Sequence, residues 1–348
     1  MGNTERILII TGAGASYDCA EHSQRGFNWH WRPPLVDGLF EDRAEFLRVL
    51  NSYPGAKAVT GLIRQRVQGG EPFEEVLKSL RDNSNTRIGR HFLQVPLYLS
   101  DLFERVSSDF IETGVSDYNT LIGYVEEADA DRAMLATVNY DCLLDNAVSN
   151  WYGTKPSKVE HYINFAPGRS YAKLHGCCRW MHPVVSGVPP GVNLAEILSH
   201  TADSVTWSSD ILVGRPDAFW RFDSFHVFPA ISVPVAGKTE FTCELHADAF
   251  RGFAKEATRL LIVGFSCRDA HIVEILATAK SLRRLLIVNG PGGVAGEPTW
   301  SEAALRLLLG AAPHLDGQLD HSPGQAILNQ GFHEALGSGM IASFLAIS

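Results

Sequence analysis

The sequence predicts an α/β protein whose core is a Rossmann-like, open and mostly parallel sheet with a large helical insertion. The first observation is a set of five short, continuously apolar runs, at residues 6–11, 133–138, 170–174, 259–263 and 284–288. Unbroken apolar character indicates strands buried on both faces, as in a parallel sheet. The second observation is that glycine or polar residues follow each run and that most runs lead into a helical pattern. Strands that alternate with helices predict right-handed crossovers.

The 348 residues are interpreted as one domain with two insertions. The apolar residues Phe73, Val76, Leu77 and Leu80 recur at the spacing of one helix face, which predicts helix in the first insertion. The second insertion is rich in proline, glycine and aromatic residues. The predicted parts are a sheet core at about 1–20, 131–182 and 225–295, a helical insertion at about 35–130, an irregular insertion at about 183–230, and C-terminal helices at about 298–348.

Charge and hydropathy exclude several classes of protein. Thirty Lys and Arg against 39 Asp and Glu give a net charge of −9, which argues against direct binding of nucleic acid through its phosphates. No run approaches the roughly 20 apolar residues of a membrane span, and the polar N-terminus has no signal-peptide pattern. The six cysteines are scattered without any CxxC pair, and the adjacent Cys177 and Cys178 are poorly spaced for a zinc ribbon. We therefore expect a reduced, cytoplasmic protein without membrane contact and without a bound metal.

The first strand runs into a turn of small residues, Gly12 to Ser16, with the sequence GAGAS. A Gly-x-Gly turn at the start of a helix is typical of a phosphate cradle, because glycine allows close backbone approach and the helix N-terminus supplies N–H groups. The third glycine of the GxGxxG pattern is missing. A plain strand–turn–helix connection is therefore an equally good interpretation of this turn.

The next two strands also end in residues that could carry chemistry. The TVNYD motif places Asn139 and Asp141 at the carboxyl end of a strand, where α/β folds bind ligands, although either residue could simply cap the following helix. The KLHG motif places His175 at the next strand end, and an imidazole with a pKa of about 6.5 suits proton transfer near neutrality. Most histidines are structural. The strand end and the following Gly176 distinguish His175 from the other twelve.

The last two strands end in similar patterns. After the fourth strand, GFSCRDAH contains Gly264, which allows close backbone approach, and Ser266 and Asp269, either of which could cap a helix. The fifth strand ends at Asn289, whose side-chain amide could bind a ribose hydroxyl. None of these patterns is specific alone. Their common position at strand ends predicts one ligand site at one edge of the sheet.

In this order, GAGAS, TVNYD, KLHG, GFSCRD and LLIVN resemble the silent-information-regulator (sirtuin) superfamily, in its prokaryotic sirtuin-like branch. The resemblance covers roughly residues 6–30, 133–146, 170–176 and 225–290, whereas the helical insertion and the tail match no motif of the family. It implies a sirtuin-like, DHS-like NAD-binding fold. It also implies that NAD is the substrate, that the bond between nicotinamide and ribose is cleaved, and that no other cofactor is needed.

The resemblance assigns roles residue by residue. Asn139 would hold the ribose or an attacking water, Asp141 would face the nicotinamide carboxamide, and His175 would act as general base on the ribose hydroxyls. Asn289 would contact the adenosine ribose. The residues that would lie against the NAD phosphates come from the two glycine turns: Gly12, Ala13, Gly14, Ser16, Gly264 and Ser266.

Two departures from the family pattern favour NAD hydrolysis over protein deacylation. The paired CxxC zinc module of the deacylases is absent, and Val138 stands where they usually carry glutamine. The NAD-hydrolysing branch implies an effector of prokaryotic anti-phage defence that acts by NAD depletion. It further implies a homo-oligomer, or a partner subunit such as a translocase ATPase or an Argonaute-like protein. The alternatives are an NAD-dependent protein deacylase and a non-catalytic subunit that senses NAD or ADP-ribose.

Overall fold

The computed structural model describes residues 5–21, 29–83, 87–111, 116–128, 130, 132–185, 192–201, 205–237, 241–292, 298–316 and 327–346. The strands are β1 (Arg6–Thr11), β2 (Arg132–Thr137), β3 (Arg169–Lys173), β4 (Gly176–Pro183), β5 (Leu212–Val213), β6 (Arg221–Phe222), β7 (Phe225–Ile231), β8 (Arg259–Val263), β9 (Arg284–Val288) and β10 (Ile327–Leu328). The helices are α1 (Ala13–Glu21), α2 (Ala44–Leu50), α3 (Pro54–Gln68), α4 (Phe73–Arg81), α5 (Arg87–Phe92), α6 (Gln94–Ile111), α7 (Asp117–Glu127), α8 (Leu143–Tyr152), α9 (Leu194–Thr201), α10 (Glu244–Glu256), α11 (Ala270–Leu276), α12 (Trp300–Ala311), α13 (Pro313–Asp316), α14 (Phe332–Gly337) and α15 (Met340–Leu345).

The main sheet has six parallel strands in the order β10-β9-β8-β1-β2-β3. Along the chain, the sheet grows outward from β1 through β2 to β3 and then outward from β8 through β9 to β10. This is the doubly wound, Rossmann-like arrangement, with a topological switch point between β1 and β8. The predicted fold class is therefore confirmed. Three of the five predicted strands have the predicted bounds, and β2 and β3 begin and end one residue earlier.

The apolar strands are explained by burial on both faces of the sheet. In β1, Ile7 and Ile9 pack into one hydrophobic cluster, whereas Leu8 and Ile10 pack into a second cluster. Alternate residues of a strand point to opposite faces, so an unbroken apolar run is required when helices cover both sides. Each such side chain contributes about 1.5–3 kcal/mol when it is removed from water.

A second sheet, antiparallel and with the order β5-β4-β7-β6, was not predicted. The predicted sheet core counted residues of β4 and β7 with the parallel strands, and this was wrong. The chain reverses direction at Gly176, where φ is +84° and a Cβ would overlap the carbonyl of Ala230 in β7. A further difference is β10, a short edge strand within the region predicted to contain only C-terminal helices.

The predicted helical insertion contains α2 to α7. Helix α4 buries Val76, Leu77 and Leu80, as its periodicity predicted. Helix α6 packs against the second sheet, where Ser100 Oγ donates a hydrogen bond to the Cys178 carbonyl at 2.8 Å. Across the described part of the chain, the helices are too short or too polar to cross a membrane.

Candidate active site

The five sequence motifs meet at one edge of the main sheet because the strands end in register. Thr11, the last residue of β1, pairs with Thr137 of β2 and with Val263 of β8. The same level continues outward to Lys173 of β3 and Val288 of β9. The turns that follow β1 and β8 flank the switch point, where open α/β sheets bind ligands.

The two glycine turns at the switch point are fitted to each other. Gly12 N donates to Val263 O at 2.9 Å, Gly14 N donates to Gly264 O at 3.0 Å, and Ala15 N donates to Gly12 O at 3.0 Å. A Cβ on Gly12 or Gly264 would overlap the backbone of the opposite turn, and Gly264 has φ +63°. Backbone contact between the turns therefore accounts for these glycines. Three amide donors of the predicted phosphate cradle are engaged within the protein.

Asn139 is bound to the first turn through its side chain. Its Nδ2 donates to Gly12 O and to Ser16 Oγ, each at 2.9 Å, and Ser16 Oγ lies 3.0 Å from the Tyr118 hydroxyl. The Asn139 main-chain N–H donates to Thr137 Oγ1 at 3.1 Å. The side chains of this group are buried, so the bonds compensate for polar atoms removed from water.

Asp141 lies at the N-terminus of α8 instead of on an open surface. Its Oδ1 accepts a hydrogen bond from Leu143 N at 3.0 Å, although the N-cap position of α8 is the next residue, Cys142. Below it, Lys173 Nζ donates to Asp141 O and to Asp145 Oδ2, each at 2.7 Å, and the Tyr171 hydroxyl donates to Asp145 Oδ2 at 2.9 Å. Burial alone would lower the pKa of Lys173, but the Asp145 carboxylate raises it well above its usual value. The ammonium group therefore stays charged inside the protein.

The imidazole of His175 contacts the carboxylate of Asp269. Its Nε2 lies 2.9 Å from Asp269 Oδ2, and the two side chains are 12% and 14% exposed. Asp269 also caps α11, because its Oδ1 accepts a hydrogen bond from Ile272 N at 3.2 Å. The His175 carbonyl accepts a hydrogen bond from Ser232 N at 2.9 Å. One carboxylate thus ties the end of β3 to the loop that follows β8, across the switch point.

The three remaining predicted residues follow β1, β8 and β9. Asn289 is buried at the end of β9, beyond β8, and its Nδ2 donates to Phe265 O at 3.4 Å. Its main-chain N–H donates to Ser301 Oγ at 3.1 Å. Ser266 is exposed in the loop after β8, and Ala13 is half-buried at the start of α1. The contacts of these three residues with a dinucleotide stay predictions.

The sequence interpretation missed three contributors to the site. Tyr118 comes from the helical insertion, which matched no motif, and no sequence signal connected it to Ser16. Lys173 carried a usable signal, because a lysine inside a buried apolar strand requires a charged partner. Asp269 was considered only as a helix cap. Its second contact, with His175, depends on β3 and β8 lying on opposite sides of β1 and β2.

No family model and no curated protein matches this sequence. Solved structures of Sir2 homologues, the family that the sequence motifs resemble, are among those that match. They include a Sir2 homologue in complex with NAD (11% identity, TM-score 0.43, 99% of this chain and 91% of that chain), a variant Sir2 homologue in complex with ADP-ribose (11%, 0.44, 98% and 92%), and a Sir2 protein bound to a propionylated peptide (13%, 0.42, 98% and 94%). Similarities of this size do not transfer an activity to this chain.

Proposed function

We propose that this protein is an NAD glycohydrolase that cleaves NAD to nicotinamide and ADP-ribose. The observation that carries the proposal is the contact between His175 Nε2 and Asp269 Oδ2. His175 follows β3, which is the strand next to β2, and Asn139 follows β2. A carboxylate that fixes an imidazole is the arrangement expected of a general base. The order of the five sequence motifs supports NAD as the molecule on which it acts.

The residue types suit the proposed reaction. Departure of neutral nicotinamide takes the electrons of the glycosidic bond and leaves an oxocarbenium-like ribose, to which a water oxygen adds while its proton passes to His175 and then to solvent. The Asn139 amide N–H groups are engaged with Gly12 and Ser16, so its Oδ1 is the atom proposed to orient the ribose or the water. Such a reaction depends on orientation and on dipoles aimed at developing charge.

The wider role belongs to the same proposal. By resemblance to the NAD-hydrolysing branch, the chain would act in the cytoplasm as the effector of an anti-phage defence system. It would assemble as a homo-oligomer, or with a translocase ATPase or an Argonaute-like protein that supplies the trigger. The proposal requires no metal in the reaction, because an imidazole–carboxylate pair and an amide provide the proton transfer and the orientation.

The test is incubation of the purified chain with NAD, with and without an acylated peptide, followed by chromatography of nicotinamide, ADP-ribose and acylated ADP-ribose. We expect nicotinamide and ADP-ribose in the absence of peptide. Acyl transfer that depends on the peptide would instead support a deacylase. Calorimetry with NAD is run in parallel at several protein concentrations and with the product of the neighbouring gene. Failure to bind NAD under every condition would contradict the proposal.

The site assignment is tested with His175→Ala. General acid–base catalysis contributes about 10²- to 10⁴-fold, so turnover should fall by roughly that factor. The matched control is His182→Ala, because His182 also contacts a polar partner, Asp210 O at 2.9 Å, but lies on β4 of the second sheet. The control should keep its turnover. If His175→Ala keeps full NAD turnover, the assignment of the base is wrong.

A further inference from the structure

Three buried thiols come together from the two loops that carry Asn139 and His175. Cys142 Sγ lies 3.6 Å from Cys177 Sγ and 3.5 Å from Cys178 Sγ, and the three sulfur atoms all lie within 4.8 Å of one another. Cys142 follows Asp141 directly and starts α8, whereas the other two cysteines begin β4. The sequence spacing predicted no metal, because it could not show that the fold joins residues 35 positions apart.

The backbone around the cluster holds the thiols in place. Cys178 N donates to Tyr140 O at 2.8 Å, and Cys142 N donates to Ser107 Oγ at 2.9 Å. Ser100 Oγ donates to Cys178 O at 2.8 Å, which adds a contact from the same helix, α6. The sulfur atoms are therefore arranged by the surrounding structure, as a preformed ligand set requires.

The sulfur spacing suits a tetrahedral thiolate site. A Zn–S distance of about 2.3 Å places the sulfur ligands of tetrahedral zinc about 3.8 Å apart, so the observed 3.5 and 3.6 Å require adjustments of a few tenths of an ångström. A disulfide, with S–S of about 2.05 Å, would require one pair to approach by about 1.5 Å. The geometry favours an ion between the three sulfur atoms over a bond between two of them.

The donor atoms suit a thiophilic divalent cation. The Glu104 carboxylate lies at the edge of the cluster, with Oε2 3.8 Å from Cys178 Sγ, but both of its oxygens are paired with arginine. Oε2 accepts a hydrogen bond from Arg179 Nε at 2.7 Å, and Oε1 accepts one from Arg179 Nη2 at 3.0 Å and pairs with Arg215. The three cysteine sulfurs therefore form the ligand set, and soft sulfur ligands are typical of zinc.

We propose that Cys142, Cys177 and Cys178 bind one thiophilic divalent cation, Zn²⁺. The ion would join the loop that carries Asn139 to the strand that follows His175, so that the two halves of the candidate active site keep a fixed separation. The sulfur ligands come from the N-terminus of α8 and from the first residues of β4. The site therefore differs from a ribbon of paired CxxC motifs, and it does not depend on NAD hydrolysis.

The test uses the full-length chain, reduced and freed of metal with a chelator, and titrated with Co²⁺. We expect saturation at one Co²⁺ per chain, with an intense sulfur-to-cobalt charge-transfer band in the near ultraviolet that Zn²⁺ then removes. Elemental analysis of the protein purified without chelator should give about one zinc per chain. Saturation without the charge-transfer band, or no binding, would overturn the proposal even if no variant could be prepared.

Variants locate the site. Cys142→Ser removes one of the three sulfur ligands, so the charge-transfer band should be weaker and Co²⁺ binding should weaken by more than the roughly 10- to 100-fold that loss of an outer-shell partner costs. Cys243→Ser is the matched control, because Cys243 is also buried but lies at the start of α10, and it should bind Co²⁺ like the wild type. Zn²⁺ should raise the melting temperature of the wild type and of Cys243→Ser, but not of Cys142→Ser. Equal metal content in all three proteins would contradict the assignment.

Discussion

The two halves of the candidate site differ in how they are held. Asn139, Ser16 and Tyr118 form a buried group that is 7%, 1% and 0% exposed and whose bonds run to backbone and to other buried groups. The side chains of His175 and Asp269 are 12% and 14% exposed, and the imidazole contacts the carboxylate. We call these two sets the buried half and the open half.

This difference separates folding from chemistry. In the buried half, polar atoms have lost water and depend on one another, so removing one partner leaves another unsatisfied. In the open half, the side chains are partly exposed, so a substitution leaves groups that water can still reach. Lys173 and the residues in contact with it, Asp145, Tyr171 and His246, form the layer beneath the buried half. Substitutions in the buried half and in this layer should therefore lower stability. Substitutions in the open half should lower activity in a folded protein.

The largest effect is expected from Lys173→Met, in the layer beneath the buried half. The change leaves the Asp145 carboxylate buried without its ion-pair partner, while methionine roughly preserves the length of the side chain. Breaking a buried pair from one side costs about 3–5 kcal/mol, and urea unfolding should show a loss of that size. Lys78→Met is the matched control, because the exposed Lys78–Asp82 pair has the same 2.7 Å distance but is screened by solvent, so the urea midpoint of this variant should stay close to that of the wild type.

A second comparison isolates the unpaired charge. In the double variant Lys173→Met with Asp145→Leu, both charges are absent, and replacement of a buried pair by apolar groups is often neutral. The double variant should recover much of the stability that the single variant loses. If Lys173→Met were as stable as the wild type, the Lys173–Asp145 ion pair would not stabilise the layer beneath the buried half, and the comparison would be wrong.

The next effect is expected from Asp269→Asn, in the open half. Asparagine keeps the cap of α11 but removes the charge that positions His175, so stability should change by less than about 1 kcal/mol. If the proposed reaction holds, NAD turnover should fall about 100-fold, equivalent to about 2.7 kcal/mol.

The cap at the start of another helix provides the control for Asp269→Asn. Thr299→Ala removes the cap of α12 and should lower stability by about 1 kcal/mol without changing turnover. Asp269 is a positioning residue in this scheme. An Asp269→Asn variant whose turnover falls only in proportion to its loss of stability would indicate a structural role only.

The parallel sheet could be predicted from the sequence because its signal is local. Each apolar run, such as Arg259–Val263, lies between polar or glycine residues. A strand that is buried on both faces requires such an unbroken apolar run. The second sheet could not be predicted in the same way. Its central pairing, β4 with β7, joins residues that are 44 to 55 positions apart, and β4 carries an ordinary mixture of apolar and polar side chains.

In the candidate site, the positions of the residues could be predicted from the sequence, but their contacts could not. Positions at strand ends, such as Asn139 and His175, follow from the sheet, so the motifs locate them. The contacts that fix them do not follow, because Tyr118 and Asp269 reach the site from elements whose placement depends on tertiary packing. The thiol cluster was missed for the same reason.

The smallest effect is a pH dependence of stability that arises from His246, beneath the buried half. Its Nδ1 accepts a hydrogen bond from Lys173 N, and its Nε2 donates one to Val159 O, each at 3.0 Å. Burial lowers the pKa of His246 to about 4, so the folded protein keeps the neutral ring. The unfolded chain protonates near pH 6.5. This contribution to stability is therefore complete above about pH 6.5 and is lost as the pH falls towards 4.

Between pH 7 and pH 5, the loss from this one group should be about 2 kcal/mol in the free energy of unfolding. Other groups also titrate, so the quantity to compare is the change between the two pH values in the wild type and in His246→Gln. The variant should lose about 2 kcal/mol less than the wild type. His161→Gln, at an exposed histidine, should behave like the wild type. Equal losses in all three proteins would mean that His246 is not held neutral, and the layer beneath the buried half would then be open to protons.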